Sequence, residues 1–443
     1  MFKREKELNK LINGKSNGLI KVITGMRRCG KSFLLNNIFK TWLLNNGYKE
    51  YQIIQFAFDS KENVDKLDNF NKDEETRIYI NKEKNIFKIN SKKFLSYVNS
   101  LINNETNYVL LLDEIQLLED FTSVLNTFLY KNKLDIYVTG SNSLFLSNDI
   151  ATTFRGRSYN INLYPLTFKE IYDESFEKNN TSKLINDYMM YGGLPNIVLE
   201  QNEENKIDLL KTIYKTTYIR DIAERNSIQN SSNLEEIVSY LSSNIGSLTN
   251  CEKIKNTYNS KGNHEISSPT IKNYIEYLKN AYLIDQANRF DIKGKKYFNS
   301  NCKYYFVDLG IRNVITNFRQ YERNHLMENL IYNELKYRGY NVDVGNIEKY
   351  EKNANNTYSK KLFEIDFVIN KGFKKFYIQS ALNIDDYEKK TQEEKPLNLV
   401  NDSFSKIIIV FDDIKSYQDE NGIFIISLKD FLLNDLGTLF GSI

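Results

Sequence analysis

Residues 19–38 have the sequence LIKVITGMRRCGKSFLLNNI, in which an apolar run, a glycine-containing loop and an apolar-periodic segment follow one another. This order predicts a strand, a loop and a helix. The loop fits the pattern G-x-x-x-x-G-K-[ST], whose glycines let backbone N–H groups surround a polyphosphate while the positive end of the helix points at the same anion. We therefore expect binding of a nucleoside triphosphate, ATP, with Lys31 at the β- and γ-phosphates and Ser32 as a ligand of Mg²⁺. The loop residues expected at the nucleotide are Gly25, Met26, Arg27, Arg28, Cys29, Gly30, Lys31, Ser32 and Phe33.

The composition is that of a folded, multidomain chain. With 443 residues, 41% hydrophobic and 26% charged, the chain is too long for one ordinary core and predicts about two to four domains. Because the net charge is only +3, any contact with nucleic acid needs a local basic patch. Three scattered cysteines and two histidines predict neither a disulfide framework nor a zinc site. The charged start and the lack of a membrane-spanning apolar run predict a cytoplasmic protein with no membrane partner.

A second informative segment is the apolar run Tyr108–Leu112, which ends in Asp113 and Glu114. A continuous apolar run suits a strand buried on both faces of a parallel sheet, and such sheets bind ligands at the carboxyl ends of their strands. Asp113 is therefore expected to hold Mg²⁺. Glu114 is expected to orient or deprotonate the attacking water. The alternative is that this acidic pair forms a solvated turn.

Two further segments supply polar residues for the same edge. The strand 134–139 is followed by Ser141 and Asn142, which are expected at the γ-phosphate or the attacking water, with capping of the next helix as an alternative. Arg155 and Arg157 precede the strand 158–163. One of them is expected to act as an arginine finger on the nucleotide of a neighbouring subunit, which implies a homo-oligomer, and the alternative is a surface salt bridge.

Taken in order, five segments resemble those of the prokaryotic AAA-superfamily ATPases that carry a C-terminal domain of unknown function. The segments are residues 4–8, 25–32, 112–114, 139–141 and 154–157. The resemblance implies a P-loop NTPase domain over residues 1–165, with an AAA-type parallel sheet that contains an additional strand. It further implies that Arg4 and Glu5 lie near the base of the bound nucleotide. Ser141 or Asn142 would then be the sensor residue at the γ-phosphate or the attacking water. In the segment 191–195, Pro195 then belongs to a lid motif on the adenine side, although the residues alone indicate a helix C-cap and a turn.

The middle of the chain predicts two helical modules. Residues 166–230 fit a helical lid over the nucleotide domain. Residues 231–308 predict a winged helix, because three helical segments precede two strands that flank the basic tip 293–296. Its helix at 270–279 and its tip are expected to contact DNA, and docking of a protein partner is the alternative.

Residues 309–443 predict a separate α/β domain that resembles the restriction-endonuclease-like fold. An active member of that fold has a helix acid, a strand aspartate and an acid-x-Lys pair around Mg²⁺. Glu328 and Asp366 match the first two positions, but Gln379 and Ala381 replace the acid and the lysine. We therefore expect no DNA cleavage unless a lysine from elsewhere, such as the pair 389–390, takes the place of the missing one.

Together these features predict an α/β chain that is a Mg²⁺-dependent ATPase and couples its nucleotide state to a DNA or protein partner. Two other functions remain open. One is a nucleotide-gated switch with negligible turnover, and the other is an ATP-regulated nuclease.

Overall fold

The structure is a computed structural model that describes residues 2–82, 86–103, 105–131, 133–140, 156–260, 266–352 and 358–439. The chain forms two compact units. The first comprises residues 1–164 together with 280–282, and the second comprises residues 165–279 and 283–443.

The first unit is an α/β domain built on a parallel sheet. Its strands are β1 (Ile20–Gly25), β2 (Ile53–Ala57), β3 (Arg77–Asn81), β4 (Ile86–Ile89), β5 (Tyr108–Asp113), β6 (Leu134–Thr139) and β7 (Ser158–Leu163). Five of them form a fully parallel sheet in the order β2-β5-β6-β1-β7. Because β6 is inserted between β1 and β5, this is the additional-strand sheet of AAA-type P-loop domains, and that prediction is confirmed.

The helices of the first unit surround this sheet. They are α1 (Glu5–Asn13), α2 (Lys31–Phe33), α3 (Lys40–Asn45), α4 (Lys61–Phe70), α5 (Ser91–Leu101) and α6 (Phe121–Leu129). A π-helical segment, Leu34–Phe39, joins α2 to α3. Residues 60–90, where sequence periodicity is weak, contain α4 and the antiparallel pair β3–β4.

The core of the first unit explains why its central strands are apolar throughout. All six residues of β1 and all six of β5 are buried. Phe56, Phe58 and Phe94 pack against one another with ring centroids 4.8 to 5.1 Å apart. Burial on both faces of the sheet leaves no alternation of polar and apolar residues, as expected for a parallel sheet covered by helices.

The second unit begins with helices and ends with a mixed sheet. Its helices are α7 (Phe168–Glu174), α8 (Thr181–Tyr191), α9 (Pro195–Leu199), α10 (Glu203–Thr212), α11 (Arg220–Arg225), α12 (Ser231–Ser243), α13 (Cys251–Asn259), α14 (Ser268–Asn280), α15 (Leu309–Ile315), α16 (Arg323–Tyr337), α17 (Tyr387–Asn398), α18 (Leu428–Leu433) and α19 (Leu436–Leu439). A second π-helical segment, Ile213–Ile219, joins α10 to α11.

The strands of the second unit form one eight-stranded sheet. They are β8 (Ile284–Asp291), β9 (Lys296–Phe306), β10 (Asn341–Lys352), β11 (Tyr358–Lys371), β12 (Lys374–Ala381), β13 (Ser405–Val410), β14 (Tyr417–Gln418) and β15 (Ile423–Ser427). Their order is β14-β15-β13-β12-β11-β10-β8-β9. The parallel pairing of β8 with β10 joins the β8–β9 hairpin to the C-terminal strands.

The strand pairing in this sheet affects the winged-helix prediction. The three helices α12 to α14 and the hairpin with its tip at 293–295 are present. The hairpin is part of the C-terminal sheet, however, so that the sheet runs across residue 308, where the sequence suggested a boundary. The division into modules at 231–308 and 309–443 therefore stays a prediction.

Candidate nucleotide-binding site

The loop after β1 has the backbone conformation that its glycines permit. Gly25 has φ +144°, and a Cβ at this position would lie 2.0 Å from the carbonyl oxygen of Leu163 on β7. Gly30 has φ +99° and Arg28 has φ +65°, both in the left-handed region. Only glycine accepts the close approach at position 25, since any side chain would collide with the neighbouring strand. The glycines therefore allow the loop to turn tightly from β1 into α2.

Lys31 lies inside this loop. Its side chain is buried, and Nζ donates to the carbonyl oxygens of Gly25 at 3.0 Å and Met26 at 2.9 Å. The ammonium group is thus held where the loop amides and the first turn of the helix converge. Such a position suits a lysine that reaches the phosphates of a nucleotide. Ser32 and Phe33, next on the helix, are exposed.

Arg4 and Cys29 form hydrogen bonds that hold the loop in place. Arg4 Nη2 donates to the carbonyl oxygen of Cys29 at 2.8 Å, and the Cys29 thiol donates to the carbonyl oxygen of Leu163 at 3.5 Å. Burial raises the pKa of the Cys29 thiol, which therefore stays protonated. Arg4 is buried, whereas Glu5 is exposed and lies 4.0 Å from Lys3. The contact with Cys29 gives Arg4 a structural role, and the expected location of Arg4 and Glu5 near the base stays a prediction.

Asp113 and Glu114 lie at the carboxyl end of β5, connected through Thr139 at the end of β6. The Thr139 hydroxyl donates to Asp113 Oδ1 and accepts the backbone N–H of Glu114 at 3.1 Å. Asn36, on the π-helical segment, donates to Asp113 Oδ2 at 3.3 Å. Glu114 has a left-handed φ of +54°, and its carboxylate accepts a hydrogen bond from Gln116. The buried Asp113 is therefore fixed from two sides, and the half-buried Glu114 is held by its neighbour.

Asp59 is a residue that sequence reasoning missed. It follows β2, the strand beside β5, so it lies at the same sheet edge. Partial desolvation and the negative charges of Asp113 and Glu114 raise the pKa of Asp59. The signal was available in the sequence, since Asp59 also follows an apolar strand, but only the pairing of β2 with β5 brings it near the acidic pair.

The donor set fits a magnesium ion that is also held by phosphates. Carboxylate and hydroxyl oxygens are the ligands that Mg²⁺ prefers, and in nucleotide sites one or two of them suffice. A bound cation would relieve the repulsion that raises the pKa of Asp59. Asn36 Oδ1, beside Asp113, is buried and has no hydrogen-bond partner among the described residues, as suits an acceptor for a metal-bound water. Within the same part of the chain, no group of three or more His, Cys, Asp or Glu side chains is arranged to hold a metal by itself.

Some of the expected catalytic residues cannot be located. Ser141, Asn142 and Arg155 lie outside the described residues. Arg157 is described: its side chain is exposed and its carbonyl oxygen accepts the N–H of Ile20 at 3.0 Å. An exposed arginine at the start of an edge strand is free of burial constraints, and its role as a finger stays a prediction.

The segment 191–195 has a partner that the sequence did not reveal. The Asp308 carboxylate accepts the N–H of Gly193 at 2.8 Å and the N–H of Ile311, in the first turn of α15, at 3.0 Å. A Cβ on Gly192 would lie 2.3 Å from Asp308 Oδ1, and one on Gly193 would lie 2.2 Å from the carbonyl oxygen of Leu166. The two glycines are therefore required by packing inside the second unit. Pro195 begins α9 in this unit, and its expected place beside the adenine stays a prediction.

The expected basic surface of the hairpin is only partly available. Lys293 and Lys295 are exposed at the tip, which is shaped by hydrogen bonds from the N–H groups of residues 293 and 294 to Asp291 Oδ1 at 3.1 and 2.9 Å. Lys272 on α14 is exposed, but Lys279 is held by Glu276 at 3.0 Å. These lysines provide a few positive charges rather than a continuous basic face.

The C-terminal residues singled out from the sequence do come together. Glu328 on α16 and Asp366 on β11 both face Lys303 of β9, whose Nζ lies 2.8 Å from Glu328 Oε1. The lysine near these acids thus comes from the hairpin and not from the pair 389–390. Lys389 donates to Asn383, and Lys390 pairs with Glu394 at 3.3 Å. Lys303 had no distinguishing signal in the sequence, because it lies far along the chain from Asp366.

Comparison with known proteins agrees with the AAA-type sheet. Residues 17–172 match the model of an AAA domain, and residues 182–322 match that of a domain of unknown function, DUF8612. An uncharacterized protein of Haemophilus influenzae is 32% identical over 438 residues, which cover 98% of this chain and 99% of that protein. An uncharacterized protein of Methanocaldococcus jannaschii is 29% identical over 413 residues, covering 89% of this chain and 82% of that protein.

The chain is also similar to a solved structure. The Walker-type ATPase PABY2304 of Pyrococcus abyssi aligns with 71% of this chain and 96% of its own, with a TM-score of 0.47 and 14% identity. Among the described residues, none of the helices has the length and apolar character that crossing a membrane requires.

Proposed function

Because this chain belongs to the family of AAA-domain proteins that includes the uncharacterized Haemophilus influenzae protein, we propose that it is a Mg²⁺-dependent ATPase. One observation carries the proposal. The buried Lys31 lies in the loop that ends β1, and the acidic pair Asp113–Glu114 ends β5 at the same edge of a parallel sheet. This shared edge supports the roles of Lys31 in phosphate binding and of the acidic pair in metal binding and water activation.

Each residue of the site has its own role in this proposal. Lys31 and the amides of the loop bind the β- and γ-phosphates, and Ser32 and Asp113 hold Mg²⁺. When bound by these residues, the ion would supply positive charge next to the phosphate oxygens. Thr139 positions both acids, since its hydroxyl contacts the Asp113 carboxylate and the Glu114 amide. Glu114 orients the attacking water and accepts its proton.

The experiment compares Lys31→Ala with Glu114→Gln. Loss of the ammonium removes charge-assisted hydrogen bonds of about 3 kcal/mol, so Lys31→Ala weakens ATP binding roughly 100-fold. Glu114→Gln keeps ATP affinity and lowers turnover by roughly 100-fold or more, since an amide cannot accept the proton. Lys40→Ala removes the first residue of α3, a lysine that pairs with Glu50; it is the matched control and changes neither.

Affinity is measured by titration with a fluorescent ATP analogue, and turnover by steady-state phosphate release. Equal loss of binding in the Lys31 and Glu114 variants contradicts the separate roles. Unchanged ATP binding in Lys31→Ala contradicts the site itself.

A nucleotide-gated switch with negligible turnover is the second candidate. The hydrogen bond from Gln116 to the Glu114 carboxylate favours this candidate, because the bond engages a carboxylate oxygen that would otherwise be open to the attacking water. Gln116→Ala releases this oxygen and is expected to raise basal turnover if hydrolysis is the function. Phosphate release measured with and without DNA separates the two candidates, since a switch stays inactive in both.

The proposal includes the more detailed roles inferred from the sequence. A homo-oligomer places Arg155 or Arg157 on the nucleotide of a neighbour, and Ser141 or Asn142 senses the γ-phosphate. Residues 166–230 form a lid, and Arg4, Glu5 and Pro195 lie toward the base. The exposure of Arg157 supports a role in trans.

The second unit is proposed to be the part that contacts the partner. The exposed lysines of the tip and of α14 support weak contact with DNA phosphates through a winged helix, and docking of a protein partner is the alternative. The mixed sheet of β10 to β15 with α16 and α17 supports a restriction-endonuclease-like fold without nuclease activity. Supercoiled DNA incubated with the full chain, Mg²⁺ or Mn²⁺ and ATP is expected to remain unnicked. Nicking that is lost in Asp366→Ala would establish the nuclease function instead.

A further inference from the structure

The second unit buries a lysine among three carboxylates. The side chain of Lys303 is 3% exposed, and its Nζ lies 2.8 Å from Glu328 Oε1, 2.7 Å from Glu364 Oε1 and 3.8 Å from Asp366 Oδ1. Burial alone would lower the pKa of this ammonium group, but attraction from the three acids raises it well above its ordinary value. Lys303 is therefore charged at neutral pH. These four residues are called the Lys303 cluster below.

The acids of the cluster are further satisfied from within the protein. The second oxygen of Asp366 accepts the N–H of Ser380 at 2.9 Å and its hydroxyl at 2.7 Å. Glu328 Oε1 also accepts the Tyr305 hydroxyl at 2.7 Å. Internal donors thus engage Asp366 Oδ2 and Glu328 Oε1 in addition to the contacts of Lys303.

Gln379 is engaged in the same way. Its Oε1 accepts the backbone N–H of Asp366 at 3.2 Å, and its side chain forms a hydrogen bond with Glu393 of α17. The amide oxygen, the one atom of Gln379 able to ligate a metal, therefore already has a donor. In this neighbourhood the residues do not fit a Mg²⁺ ion, because the Lys303 ammonium group already lies between the carboxylates, 2.8 Å from Glu328 Oε1 and 2.7 Å from Glu364 Oε1, and its positive charge repels a divalent cation placed there.

We propose that the ammonium group of Lys303 takes the place of a metal ion among Glu328, Glu364 and Asp366. The cation that these carboxylates hold is a side chain of the chain itself. As a consequence, the second unit binds no divalent metal at these acids, and removing the ammonium group turns them into a site for a hard, oxygen-seeking cation. The cluster also fastens β9 of the hairpin to α16 and β11 by charge.

The surroundings allow a metal to reach the cluster once the lysine is gone. A cleft of about 680 Å³ between β11, β12 and α17 is lined by Glu364, Gln379 and Glu393, among other residues. Glu364 belongs both to this cleft and to the cluster, so ions in solvent have a direct path. A Lys303→Ala variant leaves space in addition to three negative groups.

The experiment uses Tb³⁺, an oxygen-seeking ion whose luminescence is sensitised by a nearby tyrosine. Tyr305 is hydrogen-bonded to Glu328 and therefore lies within sensitising range. In the full chain carrying Lys303→Ala, Tb³⁺ emission is expected to rise to saturation at one ion per chain. The same titration of Lys303→Ala/Asp366→Asn is expected to lose this signal, and Mn²⁺ is expected to compete for the site in the single variant.

Two controls separate the cluster from general charge effects. Lys360→Ala removes an exposed lysine paired with Glu348 at 2.6 Å and is expected to create no site. In the unmodified chain, Asp366→Asn is expected to leave the Tb³⁺ signal unchanged, because no metal is bound there.

Several outcomes overturn the proposal. One is metal binding by the unmodified chain that Asp366→Asn abolishes. Another is a folded Lys303→Ala variant, with an unchanged circular dichroism spectrum, that gains no Asp366-dependent emission. If Lys303→Ala alone does not fold, Lys303→Met keeps all three carboxylates and fills more of the space left by the lysine, and its failure to gain such emission counts in the same way.

Discussion

Asp308→Ala tests whether one buried carboxylate holds the segment 191–195 to α15. Asp308 is 2% exposed and accepts the N–H groups of Gly193 at 2.8 Å and Ile311 at 3.0 Å, and those of Leu194 and Gly310 also bond to it. Alanine leaves these donors buried without a partner. The unsatisfied N–H groups of Gly193 and Leu194 cost about 1–3 kcal/mol each and the lost cap of α15 about 1 kcal/mol, so at pH 4, where Asp308 is protonated, we expect a loss of roughly 3–7 kcal/mol.

The same residue predicts a pH dependence. Burial raises the pKa of Asp308 from 3.8 to about 6, although the backbone N–H groups of Gly193 and Ile311 oppose the rise. Because the folded pKa exceeds the unfolded one, the contribution of Asp308 to stability is complete below about pH 4 and is lost as the pH rises through about 6. At about 1.4 kcal/mol per pH unit, the loss is about 3 kcal/mol. Asp308→Asn does not titrate and is expected to lack this component.

The loss is measured at pH 4 by urea unfolding followed by far-ultraviolet circular dichroism, with hydrogen exchange of peptides that cover residues 188–195 and 309–315, and the unfolding is repeated at pH 7 for the pH dependence. Asp208→Ala, which removes an exposed carboxylate paired with Lys211 at 3.2 Å, is the control and is expected to change stability by less than about 0.5 kcal/mol. Exchange should accelerate in both peptides of Asp308→Ala. A loss below about 1 kcal/mol relative to the control, with unchanged exchange, would refute the assigned role.

The remaining predictions concern the loop, the finger and the hairpin tip. Gly25→Ala forces a Cβ to 2.0 Å from a carbonyl oxygen, so it should lower the free energy of unfolding by about 2–3 kcal/mol and weaken ATP binding. Gly18→Ala is the control, because Gly18 has φ +73° but open space around it, and it should lower stability by less. If Arg157 acts in trans, turnover per chain rises with protein concentration and Arg157→Ala is partly rescued by added Glu114→Gln chains; concentration-independent turnover in a monomer speaks against it. Charge reversal across residues 293–296 should weaken binding to every duplex alike, with a steep salt dependence, and absence of duplex binding at low salt would leave protein docking.

The local chemistry of the first unit could be predicted from the sequence. Residues close together in the sequence specify three elements there: the strand before Gly25, the loop and the helix that follows. The same holds for β5, whose six residues are all buried, and for the acidic pair at its end. The five-stranded order with β6 between β1 and β5 is the arrangement implied by the family resemblance, and it was confirmed.

Two other features needed the tertiary structure. Asp59 joins the acidic pair only because β2 pairs with β5. The hairpin β8–β9 belongs to the C-terminal sheet only because β8 pairs with β10. Neither pairing leaves a trace in composition or periodicity, since many strands of similar character could have been neighbours.

Asp308 and Lys303 show the physical reason most clearly. Asp308 lies 115 positions from Gly193, and Lys303 lies 25 positions from Glu328 and belongs to a different element from each of its acids. A sequence pattern reports periodicity, caps and turns, which depend on residues within a few positions. Which buried charges become partners depends on how strands and helices pack. For this chain, only the folded structure shows that an aspartate contacts the glycines at 192–193 and that three carboxylates surround a lysine.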